Sequence, residues 1–274
     1  MSLPEPRPDA AALVTGASAG IGGAIAHELA RRGHDLILVA RRKDRLLALA
    51  KELHDAYRVH ADVLPCDLGD AAARARLPAQ VAQLGLEVDV LINNAGFATS
   101  GPFDEADPER ELEQVRVLVE AVMSLTRAFV PGMVARHRGA ILNVASTAGM
   151  QPLPYNAGYS AAKAYVLTFS EALHQELRGK GVTVTVLCPG PVKTDFWDIA
   201  GWEVKGGKSL DSAVGPAAIS PAQAASAGIK GLEHGERVVV PGLPMRTAMM
   251  ASRYLPHAVK LPALEWFMRR GGER

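Results

Sequence analysis

The chain has 274 residues, of which 48% are hydrophobic, and it is long enough to bury a sizeable core. Its formal net charge of +1 excludes the basic excess that accompanies nucleic-acid binding. The first residues lack the apolar core of a signal peptide, and no run of about 18 apolar residues is free of charges and glycines, so we expect a soluble, cytoplasmic protein without a membrane span.

Apolar runs of strand length alternate with segments of helical periodicity along most of the chain. The predicted strands are Ala11–Thr15, Asp35–Ala40, Val59–Pro65, Val88–Ile92, Gly139–Ala145, Val182–Cys188 and Arg237–Val240. The predicted helices are a first helix that stops at Gly33, then Lys43–His54, Asp70–Leu84, about Pro108 to Arg136, Gly158–Leu177 and Pro221–Glu233. This alternation predicts βαβ units and a parallel sheet, and continuously apolar strands are typical of a sheet that helices cover on both faces.

Three stretches fall outside this alternation. Residues 1–9 are predicted to be a flexible N-terminal tail, and residues 10–274 a single domain. Within that domain the segment of about 193–219 has no clear period and is predicted to be a long mobile loop. The residues from about 243 to 274 show the spacing of a helical C-terminal tail. Prolines are expected to weaken, kink or break the helical segments that contain them: Pro78, Pro131, Pro256 and Pro262.

A glycine-rich turn separates the first predicted strand from the first helix. Gly16, Gly20 and Gly22 are spaced G-x-x-x-G-x-G, which lets the backbone approach a pyrophosphate at the helix N-terminus. An ordinary tight turn is the alternative, but the place in the first βαβ unit favours dinucleotide binding. At the position where an NAD site carries an acidic residue, the chain has Arg41 and Arg42. A guanidinium can bind a 2′-phosphate, so these arginines favour NADP(H). The alternative is that they are solvated surface residues.

The same turn also satisfies G-x-S-x-G, the nucleophile elbow of α/β hydrolases, with Ser18 as its serine. A hydrolase needs an acid and then a histidine at the ends of later strands. His234 and His257 instead fall at a helix end and in the tail, and no HGGG-like oxyanion segment is present. Serine hydrolysis at Ser18 is therefore a remote alternative.

Tyr159 and Lys163 lie four residues apart in the predicted helix Gly158–Leu177, so they share one helix face a turn apart. A free tyrosine has a pKa near about 10, and a neighbouring ammonium lowers that pKa toward the range useful for proton transfer. Such pairs are also common on exposed helix faces. The spacing alone therefore leaves a surface pair and a catalytic pair both open.

Several motifs occur in one order along the chain: Thr15–Gly22 (TGASAGIG), Asn93–Gly96 (NNAG), Ser146, Tyr159-x-x-x-Lys163 and Pro189-Gly190. From about residue 11 to residue 240 their order and spacing resemble the short-chain dehydrogenase/reductase family. The resemblance implies a Rossmann-type, doubly wound α/β fold, with a seven-stranded parallel sheet in a single domain. It also implies an oxidoreductase that transfers hydride between NADP(H) and a ketone, aldehyde or secondary alcohol.

The resemblance also assigns roles to individual residues. Tyr159 would act as general acid or base, Ser146 would hold the substrate oxygen, and Lys163 would lower the pKa of Tyr159 and bind the nicotinamide ribose. Besides Tyr159 and Lys163, the expected cofactor-binding residues are Gly16, Ser18, Gly20, Ile21, Gly22, Arg41, Arg42, Asp67, Asn93, Ala95, Gly96, Pro189, Gly190, Val192 and Thr194. Of these, Ser18 and Arg41 would lie nearest the 2′-phosphate, with the next arginine as second choice.

One position departs from the family pattern. Many members carry an asparagine on the long helix before the fifth strand, where it anchors a water next to the lysine. Our alignment puts Leu118 there. A leucine cannot hold that water, so the proton relay is rerouted or impaired. This keeps open a non-catalytic alternative, in which the protein binds NADP(H) as a sensor or partner.

The loop after Thr194 is expected to close over the substrate as a lid. Aromatic and apolar side chains near the site predict an apolar carbonyl or alcohol substrate. The expected substrate contacts are Phe97, Met150, Tyr155, Phe196 and Trp197. The alternative is that the lid tryptophans only pack the loop onto the domain.

Family members usually form dimers or tetramers through the long fourth and fifth helices, so we expect a homodimer or homotetramer. The C-terminal tail, rich in methionine and arginine, is expected to pack on the domain or a neighbouring subunit, or to lie on a membrane surface. The two cysteines, Cys66 and Cys188, lie in no CxxC motif and are interpreted as buried thiols. We therefore expect neither a disulfide nor a bound metal.

Overall fold

A single parallel sheet of seven strands, in the order β3-β2-β1-β4-β5-β6-β7, forms the centre of the protein. The structure, a computed structural model, describes residues 3–194, 218–252 and 254–272. The strands are β1 (Ala10–Thr15), β2 (Asp35–Ala40), β3 (Ala61–Pro65), β4 (Glu87–Asn93), β5 (Gly139–Val144), β6 (Val182–Leu187) and β7 (Val238–Val239). β1 pairs with both β2 and β4, so the strand order reverses there, and doubly wound sheets bind their ligands at the carboxyl ends beside that reversal.

Helices cover both faces of this sheet. They are α1 (Gly20–Ala30), α2 (Lys43–Tyr57), α3 (Ala71–Gln83), α4 (Pro108–Val115), α5 (Ala121–Ala135), α6 (Ala157–Glu176), α7 (Pro221–Glu233), α8 (Leu243–Ser252) and α9 (His257–Gly272). α1, α2 and α7 bury residues such as Ile25 and Leu46 on one face. α3, α5 and α6 cover the other face, where Leu77 and Leu125 are buried. The predicted doubly wound α/β fold is confirmed.

Prolines disturb the helices less than their positions predict. α3 continues through Pro78, α5 through Pro131 and α9 through Pro262, whereas Pro256 lies between α8 and α9 as expected. A proline inside a helix removes one hydrogen bond and costs about 3 kcal/mol. Burial of apolar side chains on the same helices, such as Leu77 on α3, offsets that cost. The predictions of a weakened second half of α3 and of a helix break at Pro262 are therefore wrong.

The long helical segment between β4 and β5 contains a five-residue π turn, Arg116–Glu120, between α4 and α5. The run Pro108–Ala135 is the one helix among the described residues that is long and apolar enough to cross a membrane. Its apolar side chains Leu118 and Leu125 are buried in the protein interior, which is also how the core helix of a globular domain packs.

The N-terminal segment packs against the domain from residue 3 onward. Leu3 is buried in the core under the α1 and α2 side of the sheet. Arg7 forms ion pairs with Glu87 and, at 2.9 Å, with Asp89, which also pairs with Arg138 at 2.7 Å. Residues 3–9, the described part of the segment predicted to be a flexible tail, are therefore held to the domain by apolar burial and buried charge pairing.

Asp89 is the buried centre of this ion-pair cluster, and we expect Asp89→Asn to lower the free energy of unfolding by about 3 kcal/mol. Burial raises the pKa of Asp89, but hydrogen bonds from Arg7 and Arg138 outweigh it and hold the pKa below its ordinary value. The carboxylate thus stabilises the fold fully above the unfolded pKa of about 4, and this stabilisation is lost as the pH falls through the folded pKa.

Urea unfolding at neutral and acidic pH measures this effect. The difference between wild type and Asp89→Asn should shrink on acidification. Glu109→Gln, which removes a surface ion pair with Arg116, serves as the control and should leave the urea midpoint unchanged. Equal midpoints for wild type and Asp89→Asn at neutral pH would contradict the structural role of the cluster.

The two ends of the predicted lid are joined. Val192 and Ile219 form a parallel β-bridge, and the Lys193 N–H donates to the Ile219 carbonyl at 3.0 Å. Residues 195–217, most of the predicted lid, lie outside the described residues.

Candidate active site

A cleft of about 560 Å³ opens at the carboxyl ends of the strands, beside the reversal between β1 and β4. Most of the predicted cofactor and catalytic residues line it: Gly16, Ser18, Gly20, Ile21, Arg41, Arg42, Asp67, Ala95, Gly96, Ser146, Tyr159, Lys163, Pro189, Gly190, Val192 and Thr194. Because the strands are parallel, residues far apart in the chain meet at this one edge of the sheet. The expected juxtaposition of the glycine turn and the catalytic residues is present.

The glycine turn adopts a backbone that side chains would disturb. Gly16 has a φ of +66°, and a Cβ on it would come within 2.8 Å of the Ala95 Cα. Gly20 also has a positive φ, of +57°. A Cβ on Gly22 would collide with the Gly16 carbonyl oxygen, so Gly22 is needed for the packing of α1 on the turn and does not itself line the cleft. The cofactor contact of Gly22 stays a prediction.

The N-terminus of α1 faces the cleft and suits an anion. Its N-cap residue, Ala19, makes no side-chain hydrogen bond to the first turn, and that turn contains no acidic residue. Free backbone N–H groups and the helix dipole favour a phosphate at such a position. Together with the turn that only glycine can form, these groups fit the pyrophosphate of a dinucleotide.

Ser18 and two arginines lie at the end of the cleft near β2. The Arg42 guanidinium donates to the Ser18 hydroxyl at 2.9 Å. Arg41 instead lies 3.5 Å from a Glu113 carboxylate oxygen and 3.9 Å from one of Asp67. The sequence put Arg41 next to Ser18 with Arg42 as second choice; the structure reverses this order, because acidic side chains draw Arg41 across the cleft.

The two asparagines after β4 have different surroundings. Asn93 is buried, and its amide donates to the Asn143 side-chain oxygen at 2.8 Å and to Thr126 at 3.1 Å, so it braces the core and does not line the cleft. Asn94 lines the cleft and donates to the Thr15 carbonyl at 3.0 Å, which fixes the glycine turn. Successive strand residues point to opposite sides, so the Asn94 side chain rather than that of Asn93 faces the cleft, and the cofactor contact of Asn93 stays a prediction.

Ser146 follows β5 and begins a short 3-10 helix, Thr147–Met150. Its hydroxyl oxygen accepts a hydrogen bond from the Ala148 N–H at 3.1 Å, so it caps this helix. The same hydroxyl is hydrogen-bonded to Tyr159. Ser146 therefore acts as a helix cap and also contacts Tyr159.

Tyr159 and Lys163 lie on α6, and both are buried, with 7% and 5% of their surface exposed. Burial raises the pKa of Tyr159 to about 12, against a smaller lowering by the hydrogen bond with Ser146. Burial also lowers the pKa of Lys163 to about 8. The lysine amine lies 5.8 Å from the centre of the tyrosine ring and donates to the Val144 carbonyl at 2.7 Å. In this structure Ser146, rather than Lys163, supplies the contact that lowers the tyrosine pKa.

Gly149 is a supporting residue that no sequence motif indicated. A Cβ at this position would come within 2.5 Å of the Lys163 carbonyl carbon. Only glycine therefore lets the 3-10 helix after Ser146 approach α6 closely enough to bring Ser146 and Tyr159 together. The only signal in the sequence is a glycine between the two catalytic residues, and its meaning depends on a distance that only the fold sets.

Leu118, the residue at the position of the family asparagine, is in the π turn and is almost fully buried. It packs in one apolar cluster with Tyr159 and Ala162. A Cβ on Gly96 would lie 2.5 Å from the Leu118 side chain, so the leucine fills the space beneath the cleft floor. Tyr159 thus has an apolar neighbour where it packs against Leu118. The π turn that contains Leu118 is a type of structure that often occurs at functional sites.

The predicted substrate contacts separate into four groups. Phe97 lines the cleft, with the Arg110 guanidinium 3.8 Å above its ring. Met150 packs against the core cluster of α6 and β6 and does not line the cleft, so its substrate contact stays a prediction. Tyr155 lines a second cavity, of about 280 Å³, that shares Arg110 with the cleft. The two lid residues, Phe196 and Trp197, lie outside the described residues.

The hydrolase interpretation of Ser18 lacks its partners. The Ser18 hydroxyl contacts Arg42, which is a donor and cannot act as a base. Among the described residues that line the cleft there is no histidine. A serine nucleophile needs a base within hydrogen-bonding distance, so the geometry does not support ester hydrolysis at Ser18.

Comparison with known proteins agrees with the geometry. Residues 10–201 match the family described as short chain dehydrogenase. The very-long-chain 3-oxoacyl-CoA reductase of Anas platyrhynchos is 39% identical over 196 residues, 69% of this chain and 62% of that protein. The inactive hydroxysteroid dehydrogenase-like protein 1 of Homo sapiens is 36% identical over 187 residues, 68% of this chain and 56% of that protein.

Solved structures extend the comparison to the fold. A short-chain dehydrogenase from Sphingobium yanoikuyae in complex with NADPH is 33% identical, with a TM-score of 0.78 over 89% of this chain and 92% of that chain. The chain spans only about 62% of the length of its avian relative. Sequence match, sheet order and cleft agree, and the chain belongs to the short-chain dehydrogenase family of oxidoreductases.

Proposed function

We propose that the protein is an NADP(H)-dependent oxidoreductase that interconverts an apolar carbonyl compound and its alcohol. The observation that carries this proposal is a single cleft with Ser146, Tyr159 and Lys163 on one wall and the Ser18–Arg42 pair at another. One region can hold a reacting carbonyl and the other a phosphate, so the cleft accommodates both ends of the reaction complex. A relative of known structure binds NADPH, which supports a nicotinamide cofactor.

The described residues fit such a cofactor along the length of the cleft. The glycine turn and the N-terminus of α1 would hold the pyrophosphate, and Arg42 with Ser18 the 2′-phosphate. Pro189 and Thr194, which follow β6 and line the cleft, would contact the nicotinamide end of the cofactor. When bound, the nicotinamide supplies or accepts the hydride. The protein residues supply binding, orientation and the proton.

The proton chemistry belongs to Tyr159 and Ser146. With a pKa raised to about 12, the phenol stays protonated at neutral pH, as an acid that protonates a developing alkoxide must be. Ser146 contacts the phenol and would hold the substrate oxygen beside it. Lys163, fixed by the Val144 carbonyl, places an amine below the tyrosine, where it would bind the nicotinamide ribose.

The choice of an apolar substrate rests on Phe97 in the cleft wall and on the relatives. The avian relative is named as a reductase of very-long-chain 3-oxoacyl-CoA. We therefore place 3-oxoacyl thioesters first among the carbonyl compounds to be tested, followed by aromatic and aliphatic ketones and aldehydes.

A carbonyl panel tests the proposal. Purified protein is mixed with NADPH and each carbonyl compound, and the loss of NADPH absorbance is followed. Turnover of at least one apolar carbonyl is the expected result. Tight NADPH binding without turnover of any compound would overturn the enzymatic proposal.

That second outcome would favour a non-catalytic protein that binds NADP(H) as a sensor or partner. The observation on its side is Leu118, an apolar side chain that packs with Tyr159 at the position where many family members carry an asparagine. A relative named as inactive, 36% identical, adds weight to this alternative. The intact Ser146, Tyr159 and Lys163 arrangement is why we place catalysis first.

The 2′-phosphate site gives a prediction on cofactor choice. We expect the protein to bind NADPH more tightly than NADH, and Arg42→Ala to weaken NADPH binding about tenfold or more while leaving NADH binding nearly unchanged, because one charge-assisted bond to phosphate is lost. Fluorescence titration with both cofactors measures this. Arg45→Ala, an exposed arginine one turn along α2 and away from the cleft, is the matched control. Equal wild-type affinities for the two cofactors would contradict the assignment.

We also propose that the protein forms a homo-oligomer through the long helical segment between β4 and β5. Leu112, Val115 and Met123 on this segment are exposed by 52%, 39% and 47%. Apolar side chains at such spacing along one helix suit burial against a second copy. Sedimentation of wild type and Leu112→Glu tests this, since the charge should favour the monomer.

A further inference from the structure

The C-terminal helices α8 and α9 carry an unusual share of the exposed large apolar side chains. Six of these lie between residues 243 and 266: Leu243, Met250, Tyr254, Leu255, Val259 and Trp266. Their exposed fractions run from 49% for Leu255 to 88% for Tyr254. Exposed apolar residues concentrated in one segment mark a site of interaction with a protein or a membrane.

Each helix has an inward and an outward face. On α9, Lys260 and Met268 are buried, whereas Val259 and Trp266, two turns apart, are exposed. On α8, Met245 packs on Gly190, whereas Leu243 and Met250 point outward at the same seven-residue spacing. The inward face is therefore already used for packing on the domain, and a second apolar face remains at the surface.

Basic residues outnumber acidic ones in this segment. From Leu243 to Gly272 the sequence contains five arginines or lysines and a single acidic residue, Glu265. Of these basic residues, Arg246 is exposed beside Leu243 and Met250 on the outward face of α8. The Arg269 side chain is also 59% exposed. Apolar side chains combined with basic ones suit the interface of an anionic lipid bilayer, where the cations meet the headgroups.

The helix pair lies at the rim of the cleft. Met245 packs on Gly190, one of the residues that line the cleft. The Ser252 hydroxyl donates to Gln151 at 2.9 Å, and Arg269 donates to the Tyr155 hydroxyl at 2.6 Å. A surface bound through α8 and α9 would therefore lie next to the entrance of the site.

We propose that the outward face of α8 and α9 docks on an anionic lipid bilayer and places the cleft beside it. An apolar substrate dissolved in the bilayer would then reach the cleft without crossing water. Docking needs no turnover, so the inference stands or falls independently of the proposed reaction. A second copy of the chain is the competing occupant of this face, and the experiment separates the two.

Vesicle flotation tests the docking. Full-length protein is mixed with vesicles of phosphatidylcholine and phosphatidylglycerol, or of phosphatidylcholine alone. We expect flotation with the anionic vesicles, little with the neutral ones, and release at high salt. Val259→Ser and Met250→Ser together should lower the bound fraction of protein about tenfold, because two apolar side chains that would enter the bilayer are lost. Arg246→Glu should weaken binding to anionic vesicles only.

Leu47→Ser on α2 is the matched control, because Leu47 is exposed by 49% and lies on a different helix. It should float like wild type. NADPH titration and thermal unfolding of each variant show that the fold is intact. Equal flotation of wild type with anionic and neutral vesicles, or equal flotation of the Leu47→Ser and double variants, would overturn the proposal. A double variant that changes sedimentation from oligomer to monomer, without a loss of vesicle binding, would assign the face to a second copy instead.

Discussion

Tyr159→Phe is expected to reduce the rate of carbonyl reduction by about 10²- to 10⁴-fold, the range that general acid catalysis supplies. The phenol is the acidic group that Ser146 contacts inside the cleft, and phenylalanine keeps its ring packing in the cluster with Leu118 while removing the proton. The affinity for NADPH should change little, because the glycine turn and Arg42 hold the opposite end. Single-turnover kinetics with NADPH and a panel substrate separate the two effects.

Tyr165→Phe is the matched control for this substitution. Tyr165 lies on the same helix, two turns from the catalytic position, and its ring stacks on Phe169 at 5.7 Å. Its hydroxyl should be dispensable for reduction. A Tyr159→Phe variant that keeps wild-type rates would show that another group donates the proton, and Ser146 would be the next residue to replace.

Lys163→Met is expected to lower the rate of carbonyl reduction by a factor similar to that of Tyr159→Phe. At the same time it should raise the free energy of unfolding by about 2 kcal/mol at neutral pH. Burial lowers the pKa of Lys163 to about 8 in the folded protein. One pKa unit corresponds to about 1.4 kcal/mol, so the buried ammonium costs about 3 kcal/mol, of which the hydrogen bond to the Val144 carbonyl returns about 1. Methionine fills the same space without a charge.

The pH dependence fixes the sign of this effect. Between the folded pKa of about 8 and the unfolded value of about 10.4, the unfolded chain binds more protons at Lys163 than the folded chain. Stability from this group therefore rises with pH through that window, and the full penalty is present below it. The advantage of Lys163→Met should thus be largest at neutral pH and should fade above about pH 10.

Chemical denaturation at both pH values measures the stability, and the carbonyl panel measures the activity. Lys180→Met, at an exposed position beyond α6, is the control and should change neither quantity. A Lys163→Met variant that is less stable than wild type at neutral pH would show that the amine is a structural anchor rather than a destabilising functional group.

The glycine turn shows how far the sequence alone could go. The spacing of Gly16, Gly20 and Gly22 between a strand and a helix indicates a phosphate site because only glycine tolerates that backbone. The separate tasks of the three glycines were not readable, since they depend on which atoms approach from β4. Only the structure shows that a side chain at Gly22 would collide with the Gly16 carbonyl oxygen. It also shows that Asn94, rather than Asn93, is hydrogen-bonded to the turn.

The arginine pair after β2 shows a different limit. Arg41 and Arg42 are adjacent in the chain, and their position after the second strand indicates a cationic site for a 2′-phosphate. Which of the two meets Ser18 depends on Glu113 and Asp67, which approach from other elements. The C-terminal segment shows the same limit. Its helical spacing could be recognised in the sequence, but only the contacts with Gly190 and Tyr155 show which face of its helices points outward.

By itself the sequence determined the strand and helix order, because this follows from local periodicity. Through its resemblance to a known family it also predicted the doubly wound sheet and marked Ser146, Tyr159 and Lys163 as candidate catalytic residues. Only the tertiary structure decided that Tyr159 and Lys163 are buried, that Ser146 touches the phenol, and that Gly149 allows them to meet. The physical reason is that burial and hydrogen-bond distances arise between elements far apart in the chain. A pKa moves only when those distant elements remove water from a group.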